Sequence, residues 1–194
     1  MAKDVLGVGI IGCGTFCTAY LATLGPVYKT VKVVACSDID MERANKIAKE
    51  WGVPHPCTTD ELLADPEVDI AVIVTGPGSH YPLTMQALRA GKHVYCEKPM
   101  SHSPIEAEKM VEAWKKSGKQ FTVGYQNRFR GEVQNLHAAC EKGELGDIYY
   151  GKAHAIRRRG VPTWGVFMDK AAQGGGPLID IGTHALDITL WCMD

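Results

Sequence analysis

The sequence predicts an α/β fold: an N-terminal doubly wound parallel sheet, followed by the start of an α+β C-terminal domain whose sheet is incomplete. Three observations carry this expectation. Strand-like apolar runs alternate with helix-period segments from residue 5 to about residue 124, a glycine turn follows the first run, and the rhythm changes after Tyr125. The expected domains are therefore 1–124 and 125–194.

The five strand-like runs are 5–11, 31–36, 69–75, 93–97 and 120–125, mostly continuous and rich in Val and Ile, as strands covered on both faces should be. Helices fill the gaps between them. Asp40 is a candidate N-cap for a helix reaching Trp51, with Met41, Ala44, Ile47, Ala48 and Trp51 on one face. Ser103 and Glu106 fit a capping box, Pro104 takes the first helical position, and Ala107, Met110, Val111 and Trp114 form the apolar stripe of that helix. Beyond Tyr125 the pattern gives a helix over about 132–141, a turn at Gly143 and Gly146, and one long strand-like run over 148–157. A glycine-rich stretch without a clear period follows, reading as a candidate active-site loop. The last segment, 178–193, is apolar on more than one side and wants cover on several faces. One strand makes no sheet, so the second domain reads as incomplete.

Composition narrows the function. Of 194 residues, 45% are hydrophobic and 22% charged, which excludes a disordered chain. Twenty-one Lys and Arg against 22 Asp and Glu give a net charge of -1, leaving no global field for nucleic acid or an anionic membrane. No apolar run approaches the roughly 18 residues of a membrane span, and the first residues lead into a strand rather than a secretory segment, so the expected location is cytoplasmic. The seven Cys are odd in number and lack any CxxC pair, which reads as reduced, packed thiols; no His or Cys set has metal-ligand spacing.

The first run ends in Gly12-Cys13-Gly14-Thr15-Phe16-Cys17, where glycines permit a tight turn and close approach to a pyrophosphate at a helix start, a Rossmann-type signal. Cys17 stands at the third glycine position and is small enough for helix-strand packing. Asp38, about 24 positions beyond Gly14, can accept both ribose hydroxyls. Its carboxylate favours NAD over NADP, because Ile39 offers no guanidinium for a 2'-phosphate and Arg43 alone is within sequence reach. A structural turn without ligand, with Asp38 merely capping it, is the plainer alternative.

Two later segments, Thr75 to His80 and then Glu97-Lys98-Pro99, lie at the carboxyl ends of strands, where open α/β sheets bind ligands. The Lys98-Pro99 bond is a candidate cis peptide that aims Lys98. In the stretch from Gly174 to His184, Asp180 and His184 are four apart, and a carboxylate one helical turn from an imidazole suits general-base work as well as a simple ion pair. Arg157 lies in a run of three Arg that is either a solvated strand end or a site for a substrate's anionic or hydroxyl groups, with Trp164 as a stacking wall.

Taken together, Gly91-Lys92-His93-Val94-Tyr95-Cys96-Glu97-Lys98-Pro99, the Gly-Tyr-Gln-Asn-Arg-Phe run from Gly124, Gly143-Glu144-Leu145-Gly146 and the 174–184 motif resemble the glucose-fructose oxidoreductase, inositol dehydrogenase and MocA (Gfo/Idh/MocA) family of NAD(P)-dependent oxidoreductases. The resemblance implies a Rossmann domain that binds NAD through Gly12, Gly14, Thr15, Phe16, Asp38, Thr75, His80, Glu97 and Lys98. It also implies that Lys98, Asp180 and His184 act beside the nicotinamide on a sugar, polyol or related secondary alcohol. Gln126, Asn127, Arg128, Arg157 and Trp164 are the candidate substrate residues. Here Thr75-Gly76-Pro77 departs from the family's usual Thr-Pro-Asn. Family members run on into a large antiparallel sheet that shapes the pocket and often the oligomer interface, so a homo-oligomer through the C-terminal domain is expected. Two other readings stay open: an NAD-dependent glycosidase without net redox change, and a non-catalytic dinucleotide sensor.

Overall fold

A computed structural model describes residues 3–156 and 158–193. The chain falls into two compact units, the first ending at Val123 and the second beginning at Gly124. In the first, six parallel strands, β1 (Leu6–Ile11), β2 (Val31–Ser37), β3 (His55–Cys57), β4 (Ile70–Ile73), β5 (His93–Cys96) and β6 (Phe121–Val123), lie in the order β3-β2-β1-β4-β5-β6. Helices α1 (Cys17–Leu21), α2 (Met41–Trp51), α3 (Thr59–Ala64), α4 (His80–Arg89) and α5 (Pro104–Ser117) occupy the crossovers. The order reverses between β1 and β4, and that switch point is where an open sheet leaves a crevice at its carboxyl edge.

Alternation along the strands sends side chains to both faces, and both are covered. Ile11, Ala35, Ala71, Ile73, Val94 and Cys96 pack with Leu62, Leu63, Ala87 and Leu88, while Val8, Ile10, Cys36, Val72 and Val74 pack with Cys17, Leu21, Ala44, Ile47 and Ala48. This explains the continuous apolar runs. β1 has further reason for its glycines: a Cβ on Gly7 would stand 1.8 Å from the Glu67 carbonyl oxygen.

The caps set the helix limits. Asp40 Oδ1 accepts from the Glu42 and Arg43 backbone N–H groups, and Gly52 closes α2 in the left-handed region. Ser103 does start α5, but the expected capping box is not formed: Glu106 accepts instead from Ser101 Oγ at 2.5 Å, a nearer donor that the spacing rule ignores. A box does form at Thr58 and Glu61, opening α3.

The second unit holds α6 (Gly131–Glu141), the short α7 (Lys170–Gln173) and α8 (Thr183–Met193). A single π-helical turn, Leu178–Gly182, leads into α8. The expected strand over 148–157 is corrected: its described residues, 148–156, adopt no regular structure. An extended run becomes a strand only by pairing, and none of the described residues pairs with it. Among the described residues, no helix is long and apolar enough to cross a membrane.

Candidate functional site

The carboxyl ends of the central strands are laced together one residue beyond the ladder. Gly12 N donates to Ser37 O at 2.8 Å, Val74 N to Ile11 O at 2.9 Å and Glu97 N to Ile73 O at 2.9 Å. These bonds set the three sequence-selected segments, which follow β1, β4 and β5, side by side at the switch point.

Gly12 has φ +104, and a Cβ there would meet Thr75 Cγ2 at 2.9 Å and the Thr75 nitrogen at 3.0 Å. At Gly14 a Cβ would meet nothing within 4 Å. The turn is thus closed on the Thr75 side and open at Gly14, with Thr15 and Phe16 exposed beside it, a shape that fits the pyrophosphate of a dinucleotide. The helix that follows is short: α1 has five residues, so the turn, more than a helix dipole, must supply the cradle.

Asp38 sits at the end of β2 with its side chain 6% exposed. Oδ2 accepts from the Cys13 N–H at 2.8 Å, Oδ1 accepts from the Asp40 N–H at 2.9 Å, and Arg43 Nη1 approaches Oδ1 at 3.3 Å. The carboxylate therefore braces the glycine turn. Arg43 Nη1 also lies 3.5 Å from Oδ2, so the acceptor positions of the carboxylate are already engaged, and ribose hydroxyls would take the two that the long Arg43 contacts occupy.

His80 is fully buried, Nδ1 lying 2.7 Å from the Pro99 carbonyl oxygen and Nε2 3.2 Å from the Thr75 carbonyl oxygen. Burial holds the imidazole below its ordinary pKa despite these two carbonyls. Its ring ties the Thr75 loop to Lys98-Pro99 from behind, and the peptide between Lys98 and Pro99 is cis. Glu97 is also buried, accepting from Tyr20 Oη and from the Lys98 N–H at 3.0 Å. Burial pushes its carboxyl above the usual range, against the pull of these donors. Lys98 itself is half-buried.

In the second unit, Asp180 lies in the π-helical turn and His184 at the start of α8. His184 is buried, edge-on to Tyr125 with ring centroids 6.1 Å apart, and the Tyr125 hydroxyl lies 3.1 Å from Thr183 Oγ1. Tyr125 was not among the residues that sequence reasoning selected, although it stands inside the run that supplied Gln126, Asn127 and Arg128. Those three form a single 3-10 turn with Phe129. The Arg128 guanidinium grips Asp187 with two hydrogen bonds and lies 5.1 Å from the Trp191 ring centroid. Trp164 packs edge-on against Phe167 and remains exposed; Arg157 lies outside the described residues. Among the described residues, no cluster of His, Cys, Asp and Glu could hold a metal ion.

Strand order, glycine turn and the acid after β2 define a dinucleotide-binding α/β protein. Residues 6–125 match the model of the oxidoreductase family with NAD-binding Rossmann fold, and residues 133–194 match the GFO/IDH/MocA C-terminal domain. The chain belongs to the Gfo/Idh/MocA family. It is 36% identical over its whole length to a D-glucoside 3-dehydrogenase of Escherichia coli K12, and 27% identical over 193 residues, 97% of the chain, to an inositol 2-dehydrogenase of Gluconacetobacter diazotrophicus. It spans 55% of each of these relatives. Among solved structures, GenD2 from gentamicin A biosynthesis, in complex with NAD, superposes with a TM-score of 0.84 at 27% identity, covering 98% of this chain and 54% of that one.

Proposed function

We propose that the chain is the dinucleotide-binding and catalytic portion of an oxidoreductase that acts on a secondary alcohol of a sugar or polyol, using NAD in preference to NADP. The observation that carries this reading is the lacing of the Gly12 turn, Thr75 and Glu97-Lys98 along one sheet edge, with the Asp38 carboxylate braced behind the turn. Dehydrogenase names among the relatives support the reaction class.

The nicotinamide, when bound, supplies the hydride acceptor. The protein does the rest. His184 takes the proton from the substrate hydroxyl, Asp180 orients that imidazole or a neighbouring hydroxyl, and the Lys98 ammonium stabilises the developing alkoxide. Gln126, Asn127, Arg128, Arg157 and Trp164 are the candidates for holding the sugar, with the Asp187 contact as the rival role of Arg128. Seven free cysteines favour a cytoplasmic setting, and exposed Tyr149, Leu178, Leu186 and Leu190 favour assembly into a homo-oligomer through the second domain.

The test is turnover followed at the reduced-nicotinamide absorbance over a panel of sugars and polyols. In the active protein, Lys98→Met and His184→Ala are each expected to lower turnover by at least about 100-fold while NAD still binds. Near-normal turnover in both variants refutes the assignment.

A further inference from the structure

We propose that Tyr20 is a positioning residue of the dinucleotide site, holding the Lys98 segment to the helix behind the glycine turn by way of the buried Glu97 carboxyl. The proposal rests on the oxidoreductase reading for one point only, that the ligand of the turn is NAD.

Tyr20 stands on α1, the first element after the turn. Its hydroxyl donates to Glu97 Oε1 across 77 residues of sequence and lies 3.2 Å from the Tyr95 hydroxyl. The second oxygen of the same carboxyl, Oε2, accepts from the Lys98 N–H. One side chain thus grips α1 with one oxygen and the peptide leading into Lys98 with the other, while its own backbone N–H is fixed to β4 at Ile73. The Tyr20 ring is wedged edge-on between Phe16, at 5.8 Å, and Tyr95, at 5.6 Å, so its orientation does not depend on the hydroxyl alone.

A buried carboxyl is a poor choice for stability. Taking it out of water costs more than a packed apolar side chain of similar volume would, and the hydrogen bonds from Tyr20 and the Lys98 N–H offset only part of that cost. The geometry here links two segments that a dinucleotide would have to address together: the turn at Gly12 to Phe16 and the loop at Lys98. Movement of either is transmitted to the other through a rigid three-point contact. Tyr20 itself acts only through Glu97.

The experiment compares the full chain with Tyr20→Phe, Glu97→Gln and the double variant. NAD affinity is measured by calorimetry, and acylation of Lys98 by an amine-directed reagent is read by peptide mass, with and without NAD. Tyr20→Phe keeps the ring packing and should lower the thermal midpoint only by the loss of one buried hydrogen bond, leaving a folded protein whose NAD affinity can be measured. It is expected to weaken NAD binding about ten-fold, the scale of one lost hydrogen bond to a charged or buried partner, and to reduce the protection of Lys98 by NAD. The double variant should bind NAD no more weakly than Glu97→Gln, since both changes cut the same link. Wild-type affinity and protection in Tyr20→Phe, or single losses that multiply in the double variant, overturn the proposal alone. A wild-type chain that binds no NAD overturns the oxidoreductase reading and the proposal with it.

Discussion

The Asp38 carboxylate accepts a hydrogen bond from the Cys13 backbone N–H at 2.8 Å, joining the end of β2 to the glycine turn after β1. The residue expected to choose the cofactor is therefore also one that shapes the turn. Arg43 completes the arrangement, reaching Asp38 Oδ1 and Asp40 Oδ2, each at 3.3 Å. Its charge is shared between two acids, which limits what it offers a 2'-phosphate.

Asp38→Asn keeps the size of the side chain and removes its charge. The amide oxygen can still accept from the Cys13 N–H and hold the turn, but the amide nitrogen then faces the Asp40 N–H, which loses its acceptor, and Arg43 is left with Asp40 alone. NAD affinity is expected to fall about ten-fold and the preference for NAD over NADP to narrow by a similar factor, the scale of a charge-assisted hydrogen bond. Calorimetry with both dinucleotides checks this. Equal losses for the two would show that Asp38 serves the turn only.

Gly12 and Gly14 separate folding from binding. Gly12→Ala puts a Cβ 2.9 Å from Thr75 Cγ2 at a backbone angle that L residues avoid, and is expected to destabilise the fold by about 1–3 kcal/mol as well as to abolish NAD binding. Gly14→Ala meets no protein atom within 4 Å. Its urea midpoint should stay within error of wild type while NAD affinity falls by ten-fold or more. A Gly14→Ala protein that binds NAD normally would show that the open side of the turn is not where the pyrophosphate lies.

How far the sequence carried depends on whether a feature is local. β1 was legible as a continuous Val and Ile run, and α2 from Asp40 and its apolar stripe, because both signals lie within a dozen residues. β3 was not: His55-Pro56-Cys57 is a three-residue edge strand containing a proline, and it exists only by pairing with Ala35, Cys36 and Ser37. The Ser103 capping box failed because a competing donor, Ser101, lies just upstream. At the site, Gly12, Asp38 and Lys98 could be selected from motifs, yet the bracing of Asp38 by Cys13 and the burial of His80 and Glu97 are tertiary facts. Tyr20 carried no motif. The Arg128 contact was equally hidden: Asp187 lies 59 residues further along the chain, and no local pattern joins the two.

Asp69 gives a pH dependence with a definite sign. Partial burial pushes its carboxyl up, but Lys3 Nζ at 2.8 Å and the Gly7 N–H at 2.8 Å overcome this and hold it below the ordinary value. A depressed folded-state pKa adds stability above the unfolded value of about 4 and loses it as pH falls through the lower folded value. Asp69→Asn should therefore be less stable than wild type at neutral pH, the gap closing below about pH 4. Urea midpoints across that range test it; a gap that stays constant would assign the loss to the Gly7 hydrogen bond instead.

For Arg128 the contact with Asp187 and the expected substrate role make opposite claims about mutation, and the contact supports a structural reading. Nε donates to Asp187 Oδ2 at 2.8 Å and Nη2 to Oδ1 at 2.5 Å, a two-pronged contact that a lysine cannot reproduce. Asp187 is 8% exposed, whereas the Arg128 side chain is 38% exposed, so the pair stands between a surface bridge and a buried one. The guanidinium also lies 5.1 Å from the Trp191 ring centroid, and Trp191 stacks on His137 of α6 at 3.8 Å, so the contact continues between α8 and α6. Arg128→Lys should cost about 2 kcal/mol in the urea unfolding of the second unit, intermediate between the two limits. Asp187→Asn should cost a similar amount, and the double variant less than the sum, because the two residues share one interaction. Substrate KM in the full enzyme should change little. A large rise in KM with unchanged stability would return Arg128 to the substrate.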